Sequence, residues 1–98
     1  METDTIKAIG IDQQGSLWVQ PSALEFPYVY RAGMGVYWDE QRRRLYSPTP
    51  QEWSYLRWFN QIRDAVRSEY GTNPIVNDDT AWSGVSDDIR SAVTSVAR

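Results

Sequence analysis

The segment from Thr49 to Gly71 constrains the fold more than any other stretch of this chain. Thr49 suits a helix N-cap, Pro50 fits the first helical position, and Glu52 stands at the capping-box spacing from Thr49. Gly71 fits the left-handed residue that ends a helix at about Tyr70, and Pro74 follows shortly after. Between these signals, Tyr55, Leu56, Phe59, Ile62, Val66 and Tyr70 recur at helical spacing as one apolar stripe. Ser54, Arg57, Gln61, Asp64 and Ser68 lie opposite. A helix with so wide an apolar stripe must lay it on a broad hydrophobic surface, and the remaining sequence offers strands for that purpose.

Residues 6–12, "IKAIGID", and the following "LWVQPS" flank a turn centred on Gly15 and predict a β-hairpin. Ile9 and Ile11 share one face, Leu17 and Val19 share one face, and Trp18 points the other way. Residues 26–31, "FPYVYR", have the β-branched and aromatic content of an extended segment. Gly33 and Gly35 then interrupt it, as a bulge between strand segments or a bend. "VYWD" and "RRLYS" predict a second hairpin, turning near Glu40–Gln41–Arg42. "NPIVN" reads as a short strand and "DDTAWSG" as a loop. Ser86 caps a final helix whose Asp87 and Asp88 suit the positive helix end, with Ile89, Ala92, Val93, Val96 and Ala97 on its apolar face. The expected architecture is a single α+β domain over residues 1–98: an antiparallel sheet of about four strands, made of two hairpins, packed by one long helix and a short C-terminal helix.

Composition narrows the chemistry. The chain of 98 residues has neither His nor Cys. That removes the side chain best suited to acid–base work near neutral pH, the commonest metal ligand, and all thiolate chemistry. No spaced calcium-loop pattern, serine elbow or phosphate loop occurs, so no catalytic residue, cofactor or metal ligand is assigned. The net charge of −3 argues against nucleic acid, because phosphate contacts call for a basic excess. No apolar run approaches membrane-spanning length and the start lacks a signal-peptide pattern, so a cytoplasmic location is expected. Aromatic residues are abundant, with five Trp, six Tyr and two Phe, and such rings serve both cores and interfaces.

The most conspicuous local feature is "YWDEQRRRLY" at 37–46. Arg42–Arg43–Arg44 reads three ways: the solvated tip of a hairpin, a contact surface for a protein partner, or a phosphate site. On a strand only Arg42 and Arg44 share a face, and Asp39 and Glu40 offset their charge. Two residues break the long helix's pattern: Arg63 falls inside the apolar stripe and Trp53 on the polar side. Trp38, Arg42, Arg44, Trp53 and Arg63 are therefore the candidate partner-binding residues.

In its small size, acidic balance, aromatic richness and lack of catalytic residues, the chain resembles the small single-domain proteins carried on bacterial mobile gene cassettes. It is similar in kind to immunity proteins that neutralise toxins. Both resemblances imply a cytoplasmic α+β protein that acts by binding. The leading expectation is a non-catalytic module that binds a protein partner or a second copy of itself. A small-molecule binder with an aromatic-lined pocket beside Gly33–Gly35 is the alternative, and single-stranded nucleic acid on aromatics flanked by arginines the third.

Overall fold

The computed structural model describes residues 2–47 and 54–98 of the chain. These form β1 (Glu2–Ile11), β2 (Leu17–Pro21), a 3-10 turn (Val29–Ala32), β3 (Tyr37–Asp39), β4 (Arg44–Tyr46), α1 (Tyr55–Tyr70), β5 (Thr72–Ile75), β6 (Ala81–Ser83) and α2 (Asp87–Ala97). The strands make one sheet in the order β3-β4-β2-β1-β5, with β6 also paired to β1.

The two expected hairpins are present. β1 and β2 pair antiparallel around Gly15, whose φ of 83° is the left-handed value that favours glycine. Asp12 secures the turn by accepting the Gln14 and Ser16 N–H groups on Oδ1. β3 and β4 pair antiparallel, and β4 joins β2 through Val19–Leu45.

The sheet is nevertheless not the four-stranded antiparallel one expected. It is a mixed sheet of six strands in which β5 and β6 both run parallel to β1. β1 is long enough to serve both. Its first half, Glu2–Thr5, pairs with β5 and its second half, Ala8–Gly10, with β6. Ile6 and Ile9 are three residues apart, so a regular strand would send them to opposite faces. A register shift between Ile6 and Ala8 brings both into the core, each almost fully buried. The Ile6 carbonyl at this irregularity accepts a 2.7 Å hydrogen bond from the buried Thr80 hydroxyl, just before β6.

Two further expectations are corrected. Residues 26–31 are not extended. Phe26 and Val29 are both buried, and successive i→i+3 bonds (Val29 N to Phe26 O, Arg31 N to Tyr28 O, Gly33 N to Tyr30 O) wind this segment into the 3-10 turn. Gly33, at φ 70°, ends that turn and does not lie between strand segments. "DDTAWSG" is not a loop throughout, since Ala81–Ser83 is β6.

The helical stop signal and the α2 start are as expected, but the long helix begins later than the Thr49 signal predicts: Ser54, expected on its polar face, is instead its extended N-cap, and the first helical residue is Tyr55. Ser54 caps α1 by accepting the Arg57 N–H, and Gly71 closes it in the left-handed conformation. The expected cap at Thr49, Pro50 and Glu52 lies outside the described residues. Ser86 caps α2, with Asp87 and Asp88 in its first turn. Phe59, Ile62, Ala65 and Val66 of α1 pack on the same face of the sheet as Ile9, Leu17, Val19 and Leu45, joined by Phe26, Val29, Val36, Val76 and Val93. Trp58, at the edge of the apolar stripe, is also buried.

Candidate functional site

Strand register decides which side chains share the uncovered face of the sheet. Leu17, Val19 and Leu45 point toward α1, so their alternates point away. Trp18 is opposite Gly10 on β1 and opposite Tyr46 on β4; Tyr46 is opposite Tyr37, and Arg44 is opposite Asp39. Tyr37, Tyr46 and Trp18 thus form a row across β3, β4 and β2, with the Tyr37 and Tyr46 ring centroids 6.0 Å apart. No described element packs over this row.

Two features build the row. The Trp18 indole lies directly over Gly10; a Cβ there would come within 2.1 Å of the indole ring, so β1 needs a residue without a side chain at this position. The Arg44 guanidinium lies over Trp18, 4.3 Å from the ring centroid. Arg44 has no hydrogen-bond or ion-pair partner among the described residues. Burial, and secondarily the charge of Arg42, push its pKa below the ordinary arginine value, while Asp39 and Asp12 oppose that shift.

The carboxylates beside it are differently occupied. Asp39 accepts the Gln41 and Arg42 N–H groups on Oδ1 and the Arg42 guanidinium on Oδ2 at 3.0 Å. The Arg42 backbone N–H, followed by its guanidinium, holds the Asp39 carboxyl below the usual carboxylate range. Asp12 engages only Oδ1, in its turn. Asp12, Trp18, Arg44 and Tyr46 border a cavity of about 300 Å³.

The sequence-derived candidates separate in space. Arg42 and Arg44 both border this cavity. Trp38 is on the opposite side of the ribbon, beside Leu45 in register, with its ring edge-on to Phe26 at 6.0 Å and its Nε1 donating to Glu40. Trp38 and Arg44 therefore do not form one aromatic–cationic surface. Arg43 sits at φ 56° in the turn and pairs with Glu25 at 2.8 Å. Arg63 reaches across to α2 and donates to the Val96 carbonyl at 2.6 Å. Trp53 lies outside the described residues. Sequence reasoning passed over Trp18, Tyr37 and Tyr46 as a group. The alternation of β2 had already turned Trp18 outward; its neighbours depend on a β2–β4 pairing that crosses more than twenty residues.

A second cavity, of about 610 Å³, opens between α2 and the segment joining β5 to β6. Neither cavity borders Gly33 or Gly35. Among the described residues, no three Asp or Glu side chains come together as a metal site, and no helix is long and apolar enough to cross a membrane.

A mixed sheet with both helices on one face and an aromatic row on the other defines a small α+β protein. The chain belongs to the family of the integron cassette protein Hfx_Cass5, whose family model matches residues 4–80. A solved structure of integron cassette protein Hfx_Cass5, from the mobile metagenome of the North West Arm Sewage Outfall, shares 40% sequence identity. The alignment covers 99% of this chain and 97% of that one, with a TM-score of 0.50. No curated protein matches the chain. The mobile-cassette resemblance drawn from size and composition is thus met.

Proposed function

We propose that this cassette protein is a non-catalytic binding module whose docking surface is the uncovered face of the sheet, and that the partner seated there is a second copy of the chain. The observation that carries this reading is the Tyr37–Tyr46–Trp18 row with Arg44 stacked on Trp18. Tyr, Trp and Arg are the residue types that anchor protein interfaces. The row ends at β3, an edge strand of only three residues, where Tyr37 is 42% exposed.

Charge favours self-association. A twofold interface brings one surface patch against itself, so that patch must complement itself. Among the described residues Arg44 has no acceptor and Asp12 Oδ2 has no donor, and both border the same cavity. A twofold axis near Tyr46 sets Arg44 of each copy toward Asp12 of the other and stacks the tyrosines between them.

Sedimentation velocity between about 1 and 100 µM, a span of roughly three kcal/mol in association free energy, tests the reading. A reversible dimer is expected in the wild type, and Tyr37→Glu, which sets a carboxylate in the row, shifts the chain to monomer. A wild type that stays monomeric throughout defeats the self-association. A dimer that Tyr37→Glu leaves intact places the interface elsewhere.

A further inference from the structure

The larger cavity carries an inference independent of the sheet face. Both of its walls are fixed. On one side α2 is held by Val76 N–H on the Ala97 carbonyl at 2.8 Å and by Arg63 on the Val96 carbonyl. On the other, Asn77 N–H donates to Thr80 Oγ1, whose hydroxyl in turn binds the Ile6 carbonyl. A cleft with walls tied in this way exists before any ligand arrives, and about 610 Å³ lies within the range of small-molecule sites.

The charges in the cleft select among ligands. Asp78 and Arg98 lie 3.7 Å apart and offset one another. That leaves Asp87 and Arg90, three residues apart on α2 and so on neighbouring positions of one helix face. Among the described residues Asp87 has no cationic partner and Arg90 no anionic one; the Arg90 guanidinium instead stands over Trp82, 5.5 Å from the ring centroid. The side chains of Ser91 and Thr94, which also line the cleft, make no hydrogen bond to the other described residues.

A simple anion is attracted by Arg90 and repelled by Asp87, and a simple cation meets the reverse. A molecule with both charges on a short frame satisfies the two at once. We infer that the cleft between α2 and the β5–β6 segment binds a small zwitterion of the α-amino-acid type, its carboxylate on Arg90 and its ammonium on Asp87. Ser91, Thr94 and the Asn77 carboxamide nitrogen supply hydrogen bonds for a polar side chain.

The test follows the Trp82 indole N–H by NMR in the full chain while L-serine, L-threonine, L-asparagine and L-glutamine are added singly. N-acetyl-L-serine, L-serine amide and inorganic phosphate serve as partly charged or purely anionic comparisons. A saturable shift is expected with at least one amino acid. The two blocked serine derivatives and phosphate bind at least about tenfold more weakly, as loss of one charge-assisted contact implies. Arg90 and Asp87 are exposed, so Arg90→Gln and Asp87→Asn keep the dispersed amide spectrum of the folded chain, with the free Trp82 indole signal displaced in Arg90→Gln, while each weakens binding about tenfold or more. Absence of a saturable shift with all four amino acids overturns the inference. So does equal binding of phosphate or the acetylated form, or an affinity that both variants leave unchanged.

Discussion

Gly10 shows how one residue sets a surface. The Trp18 indole occupies the space in which any side chain at this position would begin. Gly10→Ala therefore forces Trp18 off β1 or bends the strand beneath it. Overpacking of this sort costs about 1–3 kcal/mol. The expected result is a lower urea midpoint with an unchanged slope, and an altered Trp emission as the indole and the Arg44 guanidinium over it move. An unchanged midpoint would mean that Trp18 has another low-energy rotamer and that the row is not fixed by its contact with Gly10. Sequence alone turned Trp18 outward through the period of β2. It gave no sign that Gly10 is its seat, because Gly10 also passes as an ordinary small residue in a strand. Trp38 and Arg44 are neighbours in one conspicuous run, and sequence leaves open whether they share a face. Register separates them: Trp38 is paired with Leu45 and turns to the core, while Arg44 is paired with Asp39 and turns away.

At the level of elements, strong local signals were legible and non-local pairings were not. Gly15 marks the first hairpin, Ser86 the start of α2 and Gly71 the end of α1, each by a conformation or cap that depends on a few adjacent residues. β6 has only three residues, and its sole ladder is with β1, more than seventy positions earlier. Nothing local distinguishes such a segment from a loop. The turn at Val29–Ala32 shows the converse, where burial of Phe26 and Val29 three residues apart overrides the β-propensity of the tyrosines between and beside them. Arg63 is also an element-level residue. It stands in the apolar arc of α1 because its head binds the Val96 carbonyl, one of the last in α2, which no residue of that helix can satisfy. Arg63→Met keeps the aliphatic stem and removes that donor. The contact is exposed and water can pair the freed carbonyl, so its loss costs about 0.5–1.5 kcal/mol. The Val76 amide, bonded to the neighbouring Ala97 carbonyl, should exchange its hydrogen faster in step, whereas the Ile9 amide in the centre of the sheet should follow only the global change. Equal acceleration at both positions would show that Arg63 does not hold the end of α2 in particular.

For the whole molecule, the question is how much of the chain the core requires. The family match runs from residue 4 to residue 80, which includes the sheet face but stops before β6 and α2. Those last elements are nonetheless built into the structure. Val93 is fully buried, Ala97 nearly so, and Trp82 and Ile89 pack against the same core. β6 covers the Ala8–Gly10 half of β1, which otherwise presents an open edge beside the irregularity at Ile6. Each fully buried aliphatic side chain contributes about 1.5–3 kcal/mol. Val93 with the partial burial of Ile89 and Trp82 therefore amounts to about 4–6 kcal/mol, comparable with the lower end of a small domain's total stability of about 5–15 kcal/mol. A chain ending at Thr80 should consequently lose its cooperative transition, keep part of its helical far-UV signal from α1, and lose the near-UV signal of its packed aromatics. Near-UV circular dichroism and the dispersion of amide resonances measure this directly. A dispersed spectrum with a sharp urea transition from that shortened chain would instead show that β1–β5 and α1 form a sufficient core. On that result α2 would be an appendage that builds the zwitterion cleft without supporting the fold.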